Sequence, residues 1–151
     1  MVIIVSRQRT RKINARLLRQ IVAALMAELE IGGAELGISL VGAGEMAAVN
    51  RQFLRHSGST DVITFDHRDA SGEDRPALHG ELFVCVDDAV AQAKQFGASW
   101  QSEITRYVIH GVLHLLGHDD RRAAARRAMR RAENRLLRRL AKKFPLARLA
   151  R

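Results

Sequence analysis

One cysteine, Cys85, is all the thiol chemistry this chain carries. A lone cysteine cannot close an internal disulfide and fits a reducing compartment. Lying in an apolar, strand-like run, it reads as a buried structural thiol. Aromatic side chains are scarce too, at five Phe, one Trp and one Tyr, so the core has to be mostly aliphatic. No apolar stretch approaches the length of a membrane span. The run Val2 to Val5 is too short for a signal peptide and leads into basic residues instead of a cleavage site. These absences point to a cytoplasmic protein. With no internal repeat and no linker, 151 residues suit one domain with a proper core. The expectation is a single domain over 1–151, with 121–151 as a basic C-terminal helical extension.

Acidic residues are nearly missing from that extension. Residues 121–151 hold thirteen Lys or Arg and a single acid, Glu133, whereas the first 120 residues hold twelve basic and fifteen acidic groups. The net charge of +9 therefore belongs to the C-terminal segment. Met129, Ala132, Leu136 and Leu140 recur there at helical spacing, with arginines on the other face. Such a helix can simply be docked and solvated, but an arginine face with so few acids also attracts phosphate. The reading favours RNA contact, with Arg127, Arg131 and Arg138 as candidate substrate-binding residues. A membrane-surface helix fits less well, because the apolar face is rich in alanine and lacks bulky anchors.

Hydrophobic periodicity predicts an α+β fold, with a small mixed sheet of about four strands packed with about five helices. Strands are expected at Val2–Val5, Glu35–Val41, Val62–Phe65 and Glu81–Val86. Helices are expected from Asn14, as N-cap, to Leu29, ended by Gly32-Gly33; from Glu45 to Leu54 after a Gly42–Gly44 turn; and from Asp87 to Phe96, capped by Gly97. Residues 67–79 read as a polar loop, and Ser99 starts the helix that carries the chemistry. His56, His67 and His79 read as surface residues of loops, at no ligand spacing. Thr60 and Asp61 read as turn and cap residues.

The chemistry lies in HGVLHLLGHDD, His110 to Asp120. His110 and His114 stand four residues apart on a helix, so both imidazoles leave one face a turn apart. Gly117 can take the left-handed conformation that ends a helix, and a returning chain brings Asp120 to the same point. The alternative third ligand is His118, which stays on that face only if the helix continues through Gly117. Where the helix ends at Gly117 and Asp120 is the ligand, Asp119 is a candidate to hydrogen-bond the neighbouring backbone or to orient a ligand. Two neutral imidazoles and a carboxylate suit one Zn²⁺ per chain, with a fourth position open for water, and so point to a hydrolase.

The spacing His-x-x-x-His-x-x-Gly-x-x-Asp resembles the metzincin metalloproteases, which carry a glutamate general base after the first histidine. Here that position is Gly111. The fuller resemblance is to the YbeY family of rRNA maturation endoribonucleases, whose HGxLHLxGxDH element is matched by His110, Gly111, Leu113, His114, Leu115, Gly117 and Asp119. The family's third histidine is Asp120 here, and His118 stands where tyrosine is common. The segment NRQFLRHSGSTDVITF is similar to a second family element at Asn50, Phe53, Thr60, Asp61, Val62 and Phe65, and Gly80-Glu81 to its Gly-Asp step before a strand.

What the resemblance implies is a single-strand-specific, zinc-dependent endoribonuclease of 16S rRNA maturation and ribosome assembly or quality control, with rRNA and the small ribosomal subunit as partners. It also implies an arginine beside the metal that stabilises the scissile phosphate. The family position falls on Leu54, and Arg55, one residue later, is the candidate. Either water or the RNA's own 2′-hydroxyl would attack. Two other readings are a metalloprotease-like zinc hydrolase, which Gly111 disfavours, and a non-catalytic assembly factor with a structural, four-liganded zinc.

Overall fold

The computed structural model describes residues 1–54, 61–68, 77–118 and 120–151. Strand β1 (Val2–Ser6) pairs in parallel with β2 (Ala34–Val41), β2 pairs in parallel with β4 (Leu78–Cys85), and β3 (Val62–Asp66) closes the other edge antiparallel to β4. The order β1-β2-β4-β3 is the small mixed sheet that the periodicity predicts. Alternation along the strands divides its two faces. Leu36, Ile38 and Leu40 of β2 and Leu78, Leu82 and Val84 of β4 enter the main core. Val41 and Cys85 join Ile63 of β3 in a smaller cluster on the opposite face. Burial there pushes the Cys85 thiol up to about 11, as expected of an inert structural cysteine.

Helix α1 (Ala15–Glu28) starts where the Asn14 side chain accepts from the Leu17 amide, and it buries Leu18, Ile21, Val22, Leu25 and Met26. Its end differs from the expectation. The chain turns at Glu30, which takes φ 56°, and the Ile31 amide reaches back to the Met26 carbonyl. Ile31 packs on the core, so apolar burial after the turn closes a Schellman motif without glycine. Gly32-Gly33 therefore lies beyond the helix it was expected to end.

Helix α2 (Ala43–Val49) also starts earlier than expected, because Asp87 accepts the Ala43 amide at 2.6 Å and caps it from another element. That carboxylate also takes the Thr10 hydroxyl, and the two hydrogen bonds hold it below the usual carboxylate range. A π-helical turn, Asn50–Leu54, continues α2. The polar segment expected to loop to residue 79 is already β-strand at Leu78, where register with Ala34 of β2 extends the pairing. His79 is thus a strand residue.

Helix α3 (Val86–Phe96) ends on Gly97 at φ 67°. Helix α4 (Trp100–Leu115) lies against β3 and β4 and between α3 and α5 (Ala123–Lys143). Its Ile104, Ile109 and Val112 are fully buried, each worth on the order of 1.5–3 kcal/mol in transfer from water. Helix α5 joins the same core through Met129, Leu136, Leu137 and Leu140. Arg139 and Lys143 also tie it to Glu28 of α1 at 2.6 and 2.9 Å. Among the described residues no helix is long and apolar enough to cross a membrane.

Candidate metal centre

Helix α4 delivers the two histidines, and its sequence dictates where it starts and stops. Ser99 accepts the Ser102 amide as N-cap. At the other end Gly117 adopts φ 98°, its amide meets the His114 carbonyl at 2.9 Å, and the His118 amide meets the Leu113 carbonyl at 3.0 Å. That pair of bonds is a Schellman stop, so the helix does not run through Gly117. Arg68, just past β3, fastens this end: its guanidinium donates to the Leu115 carbonyl at 2.6 Å and pairs with Asp66 at 2.8 Å. The Arg68 hydrogen bonds hold Asp66 below the usual carboxylate range.

Beyond the stop, the returning chain places Asp120 Oδ2 at 3.4 Å from Nε2 of His114 and 4.0 Å from Nε2 of His110. The three side chains are the one group among the described residues whose ligand atoms all lie within 4.8 Å of one another. His118 does not belong to it. A tetrahedral zinc with bonds of about 2.0–2.1 Å separates neighbouring ligand atoms by roughly 3.3 Å. The His114–Asp120 spacing already fits, and the His110–Asp120 spacing needs a small contraction. The chemistry and geometry of the donor set suit a metal. A cleft of about 320 Å³ runs over it, walled on the other side by Asp61 to Thr64 of the β3 edge.

Gly111 has a packing reason. A Cβ at this position would stand 2.7 Å from the Leu82 side chain, so α4 lies close on β4 with its glycine facing the sheet. A glutamate placed there, as in the metzincins, would be driven into the core and away from the cleft. Gly80 is similarly required: a Cβ would meet the Phe65 carbonyl oxygen at 2.6 Å and Leu115 at 3.0 Å.

Glu133 of α5 was not a candidate from sequence, yet it reaches this centre. Its Oε1 lies 3.1 Å from Nδ1 of His110, with its side chain 11% exposed. Burial opposes a charged His110, but the Glu133 hydrogen bond and the Glu133, Asp61 and Asp120 charges outweigh it, leaving the imidazole shifted upward. A signal existed: the one acid in 121–151 falls four residues after Met129 and seven before Leu140, on the buried stripe. Arg68 gave no comparable signal.

The arginine candidates of α5 are not drawn into the cleft. Arg127, Arg131 and Arg138 are exposed on the side of α5 opposite Met129, Glu133 and Leu140, and no ion pair involves them among the described residues. Arg55, His56, Thr60 and Asp119 lie outside the described residues. Asp61 accepts its neighbour's amide, from Val62, as a turn residue would, and also lines the cleft.

The sequence profile described as Endoribonuclease YbeY matches residues 3–141. The chain belongs to the YbeY family. Among its relatives, Endoribonuclease YbeY of Myxococcus xanthus is 38% identical over 124 residues, 82% of this chain and 42% of the relative. That of Bacteroides thetaiotaomicron is 45% identical over 89 residues, 59% of this chain and 61% of the relative. That of Thermus thermophilus is 33% identical over 120 residues, covering 80% of this chain and 86% of the relative. The chain thus matches less than two thirds of the length of the first two and most of the third. The solution structure of the Thermotoga maritima protein TM1509 superposes with a TM-score of 0.67 at 25% identity, over 95% of this chain and 91% of that one. The YbeY match takes in all three groups of the candidate centre and Glu133.

Proposed function

We propose that the chain is a single-strand-specific, zinc-dependent endoribonuclease acting in 16S rRNA maturation and ribosome assembly or quality control. Its relatives' name supports the reaction class. The observation that carries the metal is the convergence of His110, His114 and Asp120 at one point of an open cleft. These three residues hold one Zn²⁺ per chain, which supplies Lewis-acid polarisation of a phosphoryl oxygen and an activated water. The chain's own part is to fix the donors at the end of a rigid helix and to leave the cleft between them and the β3 edge open for a single strand. Arg55 remains the candidate for stabilising charge on the phosphate, on family resemblance alone.

Two rival readings are weaker. An amide hydrolase of metzincin type needs a carboxylate base, and Gly111 faces Leu82 where that base would be. A purely structural zinc needs a fourth protein ligand, and none joins the group among the described residues.

The outer face of α5 serves a separate purpose in this proposal. Arg127, Arg131 and Arg138 draw in rRNA and the small ribosomal subunit, in the cytoplasm, by neutralising phosphates. The test is the triple reversal Arg127→Glu, Arg131→Glu and Arg138→Glu, which leaves the buried stripe intact. Affinity for rRNA should fall, and the log–log salt slope should flatten by roughly one unit for each phosphate that is no longer neutralised. Cleavage of a short unstructured RNA should change much less. Unchanged affinity and slope in the folded variant would reduce this face to a solvated surface. Absence of zinc-stimulated cleavage of any single-stranded RNA by the wild-type chain would sink the nuclease reading itself.

A further inference from the structure

We infer that Glu133 is a positioning residue for the metal: its carboxylate keeps the proton of His110 on Nδ1 and so turns the Nε2 lone pair toward the point where His114 and Asp120 converge. This rests on the metal reading above and adds a residue from a helix that supplies no ligand.

The two nitrogens of His110 face different partners. Nδ1 lies 3.1 Å from Glu133 Oε1, while Nε2 lies on the side of Asp120, 4.0 Å from its Oδ2. An ionised carboxylate can only accept, so the shared proton belongs to Nδ1, and Nε2 is left as the free donor atom. His114 likewise turns Nε2 to Asp120, at 3.4 Å. Both imidazoles therefore offer the same nitrogen to one point.

The placement of Glu133 is otherwise hard to explain. A carboxylate on the buried stripe of a helix is costly unless it is paired, and α5 offers many exposed positions where an acid would cost nothing. Met129 and Leu136 are buried a turn to either side of it. At the same level the Arg106 guanidinium of α4 donates to Asn134 Oδ1 at 2.7 Å and pins the two helices together. That contact fixes α5 against α4 one residue from Glu133, and so sets the backbone from which the carboxylate reaches His110. Partners of this kind typically carry 10- to 100-fold of metal affinity.

The test uses the full chain and three readouts: zinc affinity by competition with a chromogenic chelator, thermal unfolding of the zinc-free protein, and the His110 tautomer from long-range ¹H–¹⁵N correlation of ¹⁵N-histidine-labelled protein. Wild-type His110 should carry its proton on Nδ1 with and without zinc, at a pH where the ring is neutral. Glu133→Gln, equal in shape but uncharged, should lose roughly 10-fold in zinc affinity, and Glu133→Ala roughly 100-fold. Should the alanine variant fail to fold, the glutamine variant and the wild-type tautomer still decide. Wild-type zinc affinity in Glu133→Gln, even with a lowered unfolding temperature, would make Glu133 merely structural and overturn the inference. So would an Nε2-protonated His110 in the zinc-free wild type. Failure of the metal reading looks different: the wild-type chain itself would then bind no zinc tightly. That would end any role of Glu133 toward a metal, whatever the tautomer.

Discussion

Two pairs of histidines stack among the described residues, and they differ in what surrounds them. His110 and His114 stack edge to face at 4.6 Å between ring centres, and His67 and His79 do so at 5.6 Å. Each pair has carboxylates at hand. In the helical pair, Asp120 is shared by both rings and Glu133 takes the far nitrogen of one. In the strand pair each ring has its own glutamate, with Glu81 at 3.1 Å from His67 and Glu35 at 3.6 Å from His79. The first pair shares one carboxylate between its two Nε2 atoms, whereas the second pair has no shared acid. Exposure follows the same division: side chains at 26% and 27% in the helical pair, 43% and 40% in the strand pair. Two histidines and two acids do not make a metal site unless their donor atoms converge in a partly dehydrated place.

The comparison breaks most directly by deletion. His114→Ala should lower zinc affinity by more than about 100-fold, beyond the cost of losing an outer-shell partner, while the double variant His67→Ala/His79→Ala keeps wild-type affinity. Chelator competition measures both, and a weakened double variant would move the metal to the sheet.

Next in size is the position that sets the helix against the sheet. Gly111→Glu places a carboxylate against Leu82, which is fully buried. It should destabilise the domain by about 3 kcal/mol or more, through overpacking and an unpaired buried charge. Denaturant unfolding checks this. A stable Gly111→Glu protein that gained peptidase activity would reopen the metzincin reading.

The third ligand sharpens the contrast between convergence and mere proximity in sequence. Asp120→Ala should cost zinc affinity far more than His118→Ala, and Asp120→His should recover it. Titration of the three variants decides, and the reverse ranking of the two alanine variants would mean that the chain after Gly117 returns differently.

Smallest is the stability of the strand pair. Its ion pairs are exposed, so His79→Ala should change unfolding free energy by no more than about 0.5 kcal/mol. A larger loss would show that His79 does more than cover the sheet.

Much of this was legible in the chain. The i, i+4 histidines, the glycine stop and the returning aspartate are local features, and local hydrogen bonding fixes them. The α4 and α5 stripes were equally plain, because apolar spacing over 15 to 20 residues averages out single exceptions. Helix ends were less so. Asp87 caps α2 from the start of α3, and Ile31 closes α1 by burial. Neither effect is visible within a short window.

The sequence by itself determined the α+β order, the charge division between the first 120 residues and the last 31, and the chemical type of the donor set. Those follow from composition and from spacing along one helix, where neighbours are set by the 3.6-residue period. Only the tertiary structure decided that Gly111 is held by Leu82, that Arg68 fastens the end of α4, and that Glu133 reaches His110. Each of these joins residues from elements far apart in sequence. Such pairings depend on how helices and sheet pack, and packing is a property of the whole core.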